Sequence, residues 1–335
     1  MTHPDGKPKL LVLIGPTAVG KTKLSLIVAR TFDCEIISGD SMQVYRGMDI
    51  GTAKATPEER RLVPHHMIDI CDPDYPFSVA EFQERASALI EDIHRRGKLP
   101  FLVGGTGLYV ESVCYGFSFS EGGADEAYRA ELNEYADRYG NASLHEKLRE
   151  IDPVSAARIH PNDRRRTIRA LEVFRLTGVP LSEHLAGQKK ESPYECCIIG
   201  LTMNREKLYR RIDERVDAMI RAGLVDEVRG LLARGYTTDM VSMQGLGYKE
   251  IAAYLMGETG LEEAIERLKR NTRRFAKRQL SWFRHMKDVH WVDVTDQENF
   301  CEHLLKINGI ITEKFVSRPE YFAKPPFTGT CQESD

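Results

Sequence analysis

The sequence predicts an α/β fold: a doubly wound parallel sheet with a helical domain inserted between its strands. Three observations carry that expectation. Apolar runs of strand length alternate with segments of helical period through the N-terminal third. One strand–helix junction carries the pattern G-x-x-x-x-G-K-[ST]. A polar stretch with helical period and no strand signal then separates this region from a later apolar strand.

Leu10–Ile14 is the first strand, followed by the loop Gly15-Pro16-Thr17-Ala18-Val19-Gly20-Lys21-Thr22 and a helix with Leu24, Leu26, Ile27 and Ala29 at helical spacing. Four such fixed positions recur by chance in roughly one chain of this length in a hundred. The loop predicts a nest of backbone N–H groups at a helix N-terminus, a site for a diphosphate. Lys21 adds a full charge, and the Thr22 hydroxyl can reach Mg²⁺. The fold is thus P-loop NTPase-like.

Cys34–Ser38 reads as a second strand ending at Gly39-Asp40-Ser41, and residues 40–55 as a loop at the phosphate edge. Ser78-Val-Ala-Glu81 has the form of a capping box opening a helix to about Arg96, which Gly97 closes. Lys98–Val103 is a buried strand running into Gly104-Gly105-Thr106-Gly107. In doubly wound sheets ligands lie beyond the strand C-termini, where Gly15, Asp40 and Thr106 all fall.

Residues 117–197 read as the inserted domain, with breaks at Gly122-Gly123, Gly140, Pro153, Pro161 and Gly178-Val-Pro180. Ser143-Leu-His-Glu146 has the capping-box pattern, and Asp152-Pro153 that of an N-cap before proline. Residues 1–116 and 198–316 form the core. Its second half predicts a strand near Cys196–Thr202, helices over 204–222, 224–234 and 246–287, a strand Val289–Val294 and a helix over about 296–308. Residues 317–335 have no period and are expected to be a loose tail.

Composition bounds the function classes. In 335 residues, 41% hydrophobic and 29% charged content describe a globular protein with no bilayer-length apolar run. The seven cysteines lie at 34, 71, 114, 196, 197, 301 and 331 without a C-x-x-C pair, which points away from a zinc site and toward a reducing, cytoplasmic setting. The histidines 65, 66, 160 and 184 show no metal spacing.

Net charge is −3, yet Arg267–Lys287 contains nine Lys or Arg and no acid. Leu261, Ile265, Leu268, Thr272, Phe275, Gln279, Trp282 and Met286 form its expected core stripe. An all-basic face on an acidic chain suggests a polyanion, and Arg164-Arg165-Arg166 with Arg169 supplies a second patch. Nucleic acid fits this pattern better than a small metabolite. Asp40 is the acid best placed for metal or general-base work. Arg211 and Arg215, four apart, share a helix face and could reach one anion. The glycines around Thr106 fit either close approach to a ligand or tight backbone packing.

The loop Gly15–Thr22, Asp40-Ser-Met-Gln-Val-Tyr45 with Met48–Lys54, and Gly104–Tyr109 together resemble the bacterial tRNA dimethylallyltransferases. His160-Pro-Asn-Asp163 with Arg166 and Arg169, Gly245-Leu-Gly-Tyr248 and Lys277–Trp282 continue the resemblance, which spans residues 9 to about 310 in order. It implies transfer of a dimethylallyl group from dimethylallyl diphosphate to N6 of adenosine 37, in the anticodon stem-loop of tRNAs reading codons that start with U. Asp40 would be the base. Lys21, the rest of the loop, Mg²⁺ (through Thr22) and Arg215 would stabilise the departing diphosphate. The tRNA contacts implied are Asp40, Ser41, Met42, Gln43, Thr106, Arg129, Arg165, Arg166, Thr167, Ile168, Arg169, Gln244, Gly245, Leu246, Gly247, Tyr248, Lys249, Lys277, Arg278, Gln279 and Trp282. Gln244 and Lys249 stand where some relatives have arginine. A soluble monomer is expected.

Three rivals share parts of the pattern. A P-loop small-molecule kinase would explain Lys21 and Thr22 but not two basic patches. An isopentenyltransferase acting on free adenylate would not need the basic helix. A nucleotide-gated RNA-binding switch lacks an N-K-x-D signature.

Overall fold

The computed structural model describes residues 6–119, 123, 125–187 and 191–315; the expected tail lies outside them. The chain divides into two compact units, residues 1–114 with 192–335, and residues 115–191. The first holds a six-stranded, all-parallel sheet, as the alternating pattern predicts.

In chain order the first part of the core is β1 (Lys9–Ile14), α1 (Lys21–Thr31), β2 (Cys34–Gly39), α2 (Pro57–Leu62), β3 (His65–His66), α3 (Val79–Arg95), β4 (Leu99–Gly104) and α4 (Gly107–Tyr115). The second unit contains α5 (Glu126–Ile151), α6 (Pro153–Arg158), α7 (Arg164–Thr177) and α8 (Leu181–Ala186). The core resumes with β5 (Glu195–Thr202), α9 (Arg205–Arg221), α10 (Leu224–Ala233), α11 (Tyr248–Leu255), α12 (Leu261–Phe283), β6 (Val289–Asp293) and α13 (Phe300–Phe315).

The sheet order is β3-β2-β4-β1-β5-β6. Every residue of β1 is buried, the pattern of a central strand covered on both faces. Register brings Ile14, Gly39, Gly104 and Gly200 to one level, so β1, β2 and β4 end together at a single edge and β5 runs two residues past it. Leu11, Leu13, Val28, Phe101, Ile199, Leu201, Ile212 and Ile307 meet in the core beneath it. Leu132, Leu144, Leu148, Ile168 and Leu171 form the separate core of the second unit.

Several expectations need correction. The core strand begins at Glu195, and the units divide at 115 and 191 rather than at 117 and 197. Ser143 opens no helix: it sits inside α5 just past a break at Gly140, and its hydroxyl donates to the Tyr139 carbonyl. Asp152 does cap α6, accepting from Ser155 N–H. Ser78 caps α3 through Glu81 N–H, whereas a capping box with both bonds made is found at Thr56 and Glu59, opening α2.

The run expected over 246–287 is two helices. Gly257, at φ +78°, ends α11 with a Schellman motif: Gly257 N–H reaches Tyr254 O, and Glu258 N–H reaches Ala253 O. The final helix extends to Phe315 because Ile307, Ile311 and Phe315 remain buried against the core.

The glycines at the end of β4 are required by packing, whatever else they do beside the smaller cavity that they line. A Cβ at Gly104 would lie 2.3 Å from the Gly39 carbonyl oxygen, and one at Gly105 would lie 2.4 Å from Gln279 Nε2. Gly104→Ala is therefore expected to cost about 2–3 kcal/mol by overpacking two backbones. Gly230→Ala, on the exposed face of α10 with open space around it, should gain about 0.5–1 kcal/mol of helix propensity. Urea titration of the two variants checks both signs.

Candidate active site

The loop after β1 is shaped by unusual backbone angles. Ala18 is left-handed at φ +64°, and Gly20 caps α1 at φ +109°, a value that disfavours any side chain. The first amides of α1 have no acceptor within the helix and carry the positive end of its dipole. Lys21 Nζ donates to Gly15 O at 2.8 Å and Pro16 O at 2.9 Å. Two later helices hold the loop from outside. Arg211 Nε, on α9, donates to Ala18 O at 2.8 Å. Gln279, on α12, accepts from Thr17 N–H at 2.9 Å and donates to Gly105 O at 2.9 Å.

Asp40 follows β2 directly. Its Oδ1 accepts from Met42 N–H at 2.8 Å in a short side-chain turn. Thr106 accepts from Ser41 N–H at 3.1 Å and so braces the same turn. Gln43 accepts from Ser38 Oγ at 2.9 Å and donates to Thr52 O at 3.2 Å, folding residues 43–53 back on the sheet edge.

Two cavities meet at Asp40. A small one of about 70 Å³ is lined by Lys21, Thr22, Ser38, Asp40 and Gln43. A larger one of about 290 Å³ is lined by Thr17, Asp40, Ser41, Met42, Thr106 and Arg215, and by residues 244–249. Ile212, Val216 and Met219 from α9, with Leu268, Thr272 and Phe275 from α12, give it an apolar wall. Such a site can hold a compact anion against amides and cations, seat a small hydrocarbon group beside it, and offer a carboxylate as proton acceptor.

Electrostatics couple the three charged groups. Burial, and then repulsion from Arg215, bring the Lys21 ammonium down to about 7, against a smaller opposing pull from Asp40. Burial likewise lowers the proton affinity of Arg215, partly offset by Asp40.

The other expected contact residues divide by exposure. Lys277 and Arg278 are exposed on α12. Arg273 and Lys269 are instead tied to α9, Arg273 Nη1 to Asp213 at 2.5 Å and Lys269 Nζ to Asp217 at 2.7 Å. Gln279 is buried and Tyr248 is inaccessible, its hydroxyl donating to Glu227 at 2.6 Å, so both act in the protein's own framework. Gln244 donates to the Thr238 carbonyl, and Lys249 lies 3.9 Å from Glu250. Gly245, Leu246 and Gly247 line the larger cavity. The indole of Trp282 donates to Glu111 at 3.0 Å while the ring remains part-exposed. The expected stripe on α12 is therefore rotated: Ala264, Leu268, Ala276, Gln279 and Phe283 are its buried face, and Thr272 and Phe275 face the cavity.

In the second unit, Thr167 and Ile168 are buried and offer no side chain to a ligand. Arg129 and Arg169 converge on the fully buried Glu172, at 2.7 Å each. Arg165 and Arg166 are exposed on α7.

A bound diphosphate would restore charge to Lys21. Free Lys21 is largely neutral above its value of about 7, so binding at pH 8 should draw a proton from solution, and binding at pH 6 should not. Calorimetric titration with pyrophosphate in buffers of different ionisation enthalpy measures this. Lys21→Met should abolish the uptake, and the same uptake in that variant would assign the proton elsewhere.

Comparisons with known proteins follow this geometry. The model of the IPP transferase family matches residues 43–286, and that of the isopentenyl transferase family matches residues 8–70. A tRNA dimethylallyltransferase of Geobacillus thermodenitrificans is 54% identical over 91% of this chain and 97% of its own. That of Symbiobacterium thermophilum is 56% identical over 93% and 98%. Among solved structures, the tRNA isopentenylpyrophosphate transferase of Bacillus halodurans has a TM-score of 0.69 at 53% identity, covering 94% of this chain and all of its own. A eukaryotic dimethylallyltransferase acting on tRNA has a TM-score of 0.80 at 32% identity, covering 92% of this chain and 80% of its own. A Gly-rich loop with a carboxylate set between it and an apolar-walled cavity, on a chain matched along nearly its whole length, places this protein in the IPP transferase family.

Proposed function

We propose that this chain transfers a dimethylallyl group from dimethylallyl diphosphate to the exocyclic N6 of an adenosine in the anticodon loop of tRNA, adenosine 37 by resemblance. The observation that carries this reading is the place of Asp40, the acid that borders both the loop-side cavity and the apolar-walled one.

The amine is a poor nucleophile because its lone pair is delocalised into the ring. Asp40, with one oxygen engaged by Met42 N–H, keeps the other for the proton released as the N6–C1 bond forms. The C1–O bond breaks on the opposite side, and the electron pair leaves with the diphosphate. The loop amides, Lys21 and Arg215 stabilise the charge that grows there. The apolar wall of Ile212, Val216 and Phe275 accepts the hydrocarbon and excludes water, which would otherwise capture the allylic carbon. The target base has to leave its stack to reach this cavity, at a cost of a few kcal/mol.

Mg²⁺ fits the smaller cavity, whose Thr22, Ser38, Asp40 and Gln43 side chains offer oxygen donors. Bound there with the Thr22 hydroxyl as its ligand from the loop, it would neutralise charge on the leaving diphosphate and leave Asp40 free to take the proton. The enzyme acts as a monomer, with Arg165 and Arg166 on α7 and Arg274, Lys277 and Arg278 on α12 meeting tRNA phosphates.

Incubation with labelled dimethylallyl diphosphate and either tRNA or AMP, without ATP, tests the reaction. Label in tRNA alone is expected; label in AMP, or no transfer until ATP is supplied, would overturn it. Asp40→Asn keeps an acceptor for Met42 N–H and removes the base, so kcat should fall about 10²–10⁴-fold with tRNA affinity nearly unchanged.

Neutralising Arg274, Lys277 and Arg278 together should reduce the slope of log affinity against log salt by about 2. Neutralising Arg273, whose charge is spent on Asp213, should leave that slope in place and lower the melting temperature instead. Filter binding across a salt series distinguishes them.

A further inference from the structure

Glu227 belongs to none of the motifs that point to this family, yet it joins two of them. It lies on α10, and its carboxylate accepts from three successive backbone amides. Asp49 N–H and Ile50 N–H reach Oε2 at 3.0 and 2.8 Å, and Gly51 N–H reaches Oε1 at 3.1 Å. The Tyr248 hydroxyl donates to the same Oε1 at 2.6 Å. One side chain thus ties the Met48–Lys54 segment to the Gly245–Tyr248 segment.

Residues 49–51 belong to no strand or helix, so without this carboxylate their amides would need another acceptor. Charge-assisted bonds of this kind are the stronger ones. The approach is also sterically close: a Cβ at Gly51 would stand 2.6 Å from the Tyr248 ring. Gly51 and Thr52 line the apolar-walled cavity on one side of this tie, and Gln244–Lys249 line it on the other. The loop Gly15–Thr22 is held by other residues, Arg211 and Gln279.

We propose that Glu227 is a positioning residue for the nucleoside acceptor: it fixes the cavity wall that the flipped base meets and does not touch the diphosphate end. This rests on the prenyl-transfer reading for its kinetic half only. In Glu227→Ala, KM for tRNA should rise about tenfold or more and kcat should fall, while KM for dimethylallyl diphosphate stays within about twofold. Glu227→Gln keeps one acceptor oxygen and should lie between the two. General destabilisation would lower the active fraction and leave both KM values alone.

Hydrogen exchange needs no activity. The amides of Asp49, Ile50 and Gly51 should exchange about tenfold faster or more in Glu227→Ala, with β1 and β4 unaffected. Should Glu227→Ala not fold, Glu227→Gln carries the same test with smaller shifts in the same direction. Unchanged exchange at 49–51, or equal rises in both KM values, overturns the proposal. A wild-type enzyme that does not prenylate tRNA overturns the functional reading, and the exchange measurement still decides whether Glu227 makes the tie.

Discussion

One buried primary amide fastens the catalytic edge of this protein. Gln279 presents its oxygen to Thr17 N–H and its nitrogen to Gly105 O, so the loop after β1, the turn after β4 and the middle of α12 are held by a single side chain. Its bond to Gly105 O is made where water does not reach, so losing it leaves a polar group stranded at a cost of about 1–3 kcal/mol. The missing side chain at Gly105 is the other half of the arrangement, since any Cβ there would strike Gln279. The register that levels the strand ends makes the span short enough for one residue to bridge.

Around that fixture the cations divide into two kinds. Arg211, Lys269 and Arg273 are spent within the protein, on Ala18 O, Asp217 and Asp213, and they lock α9 and α12 to the loop and to each other. Arg215 and Lys21 face the cavities, where burial raises the free energy of their charged forms. An anion entering there gains more than it would from the same groups in water, because little solvent screens them. The second unit repeats the division on a smaller scale, with Arg129 and Arg169 held by Glu172 and Arg165 left to solvent.

Much of this was legible in the residues. Alternating apolar runs and G-x-x-x-x-G-K-[ST] announced the parallel sheet and the position of its phosphate loop, because strand burial and loop sterics are local properties of sequence. Asp40 followed from standing next to a strand end. The face of α12 differs from its expected stripe because Phe275 is as apolar as a core residue and Thr272 spends its hydroxyl on the Leu268 carbonyl, and periodicity cannot tell a core from a greasy cavity. The break at Gly257 was missed for a subtler reason: a single glycine inside a periodic run is ambiguous until the two Schellman bonds are seen. Nor could charge counting tell Arg273 from Arg274, since only the packing of α9 decides which of them finds a carboxylate. Gln279 and Glu227 act between segments far apart in the chain, and their partners are backbone atoms that leave no mark in composition.

The placement of the second unit between α4 and β5 bears on how the chain is born. Lys9 on β1 is matched with Glu195 on β5, so the centre of the sheet closes only after the whole intervening stretch has left the ribosome. Until then β1 has β4 as its neighbour on one flank and an open row of amides and carbonyls on the other, the kind of surface on which nascent chains aggregate. Pairing across so long an interval is slow, since loop closure precedes any gain in contacts. A helical unit with its own apolar centre replaces that loose interval with a compact body as soon as it has folded.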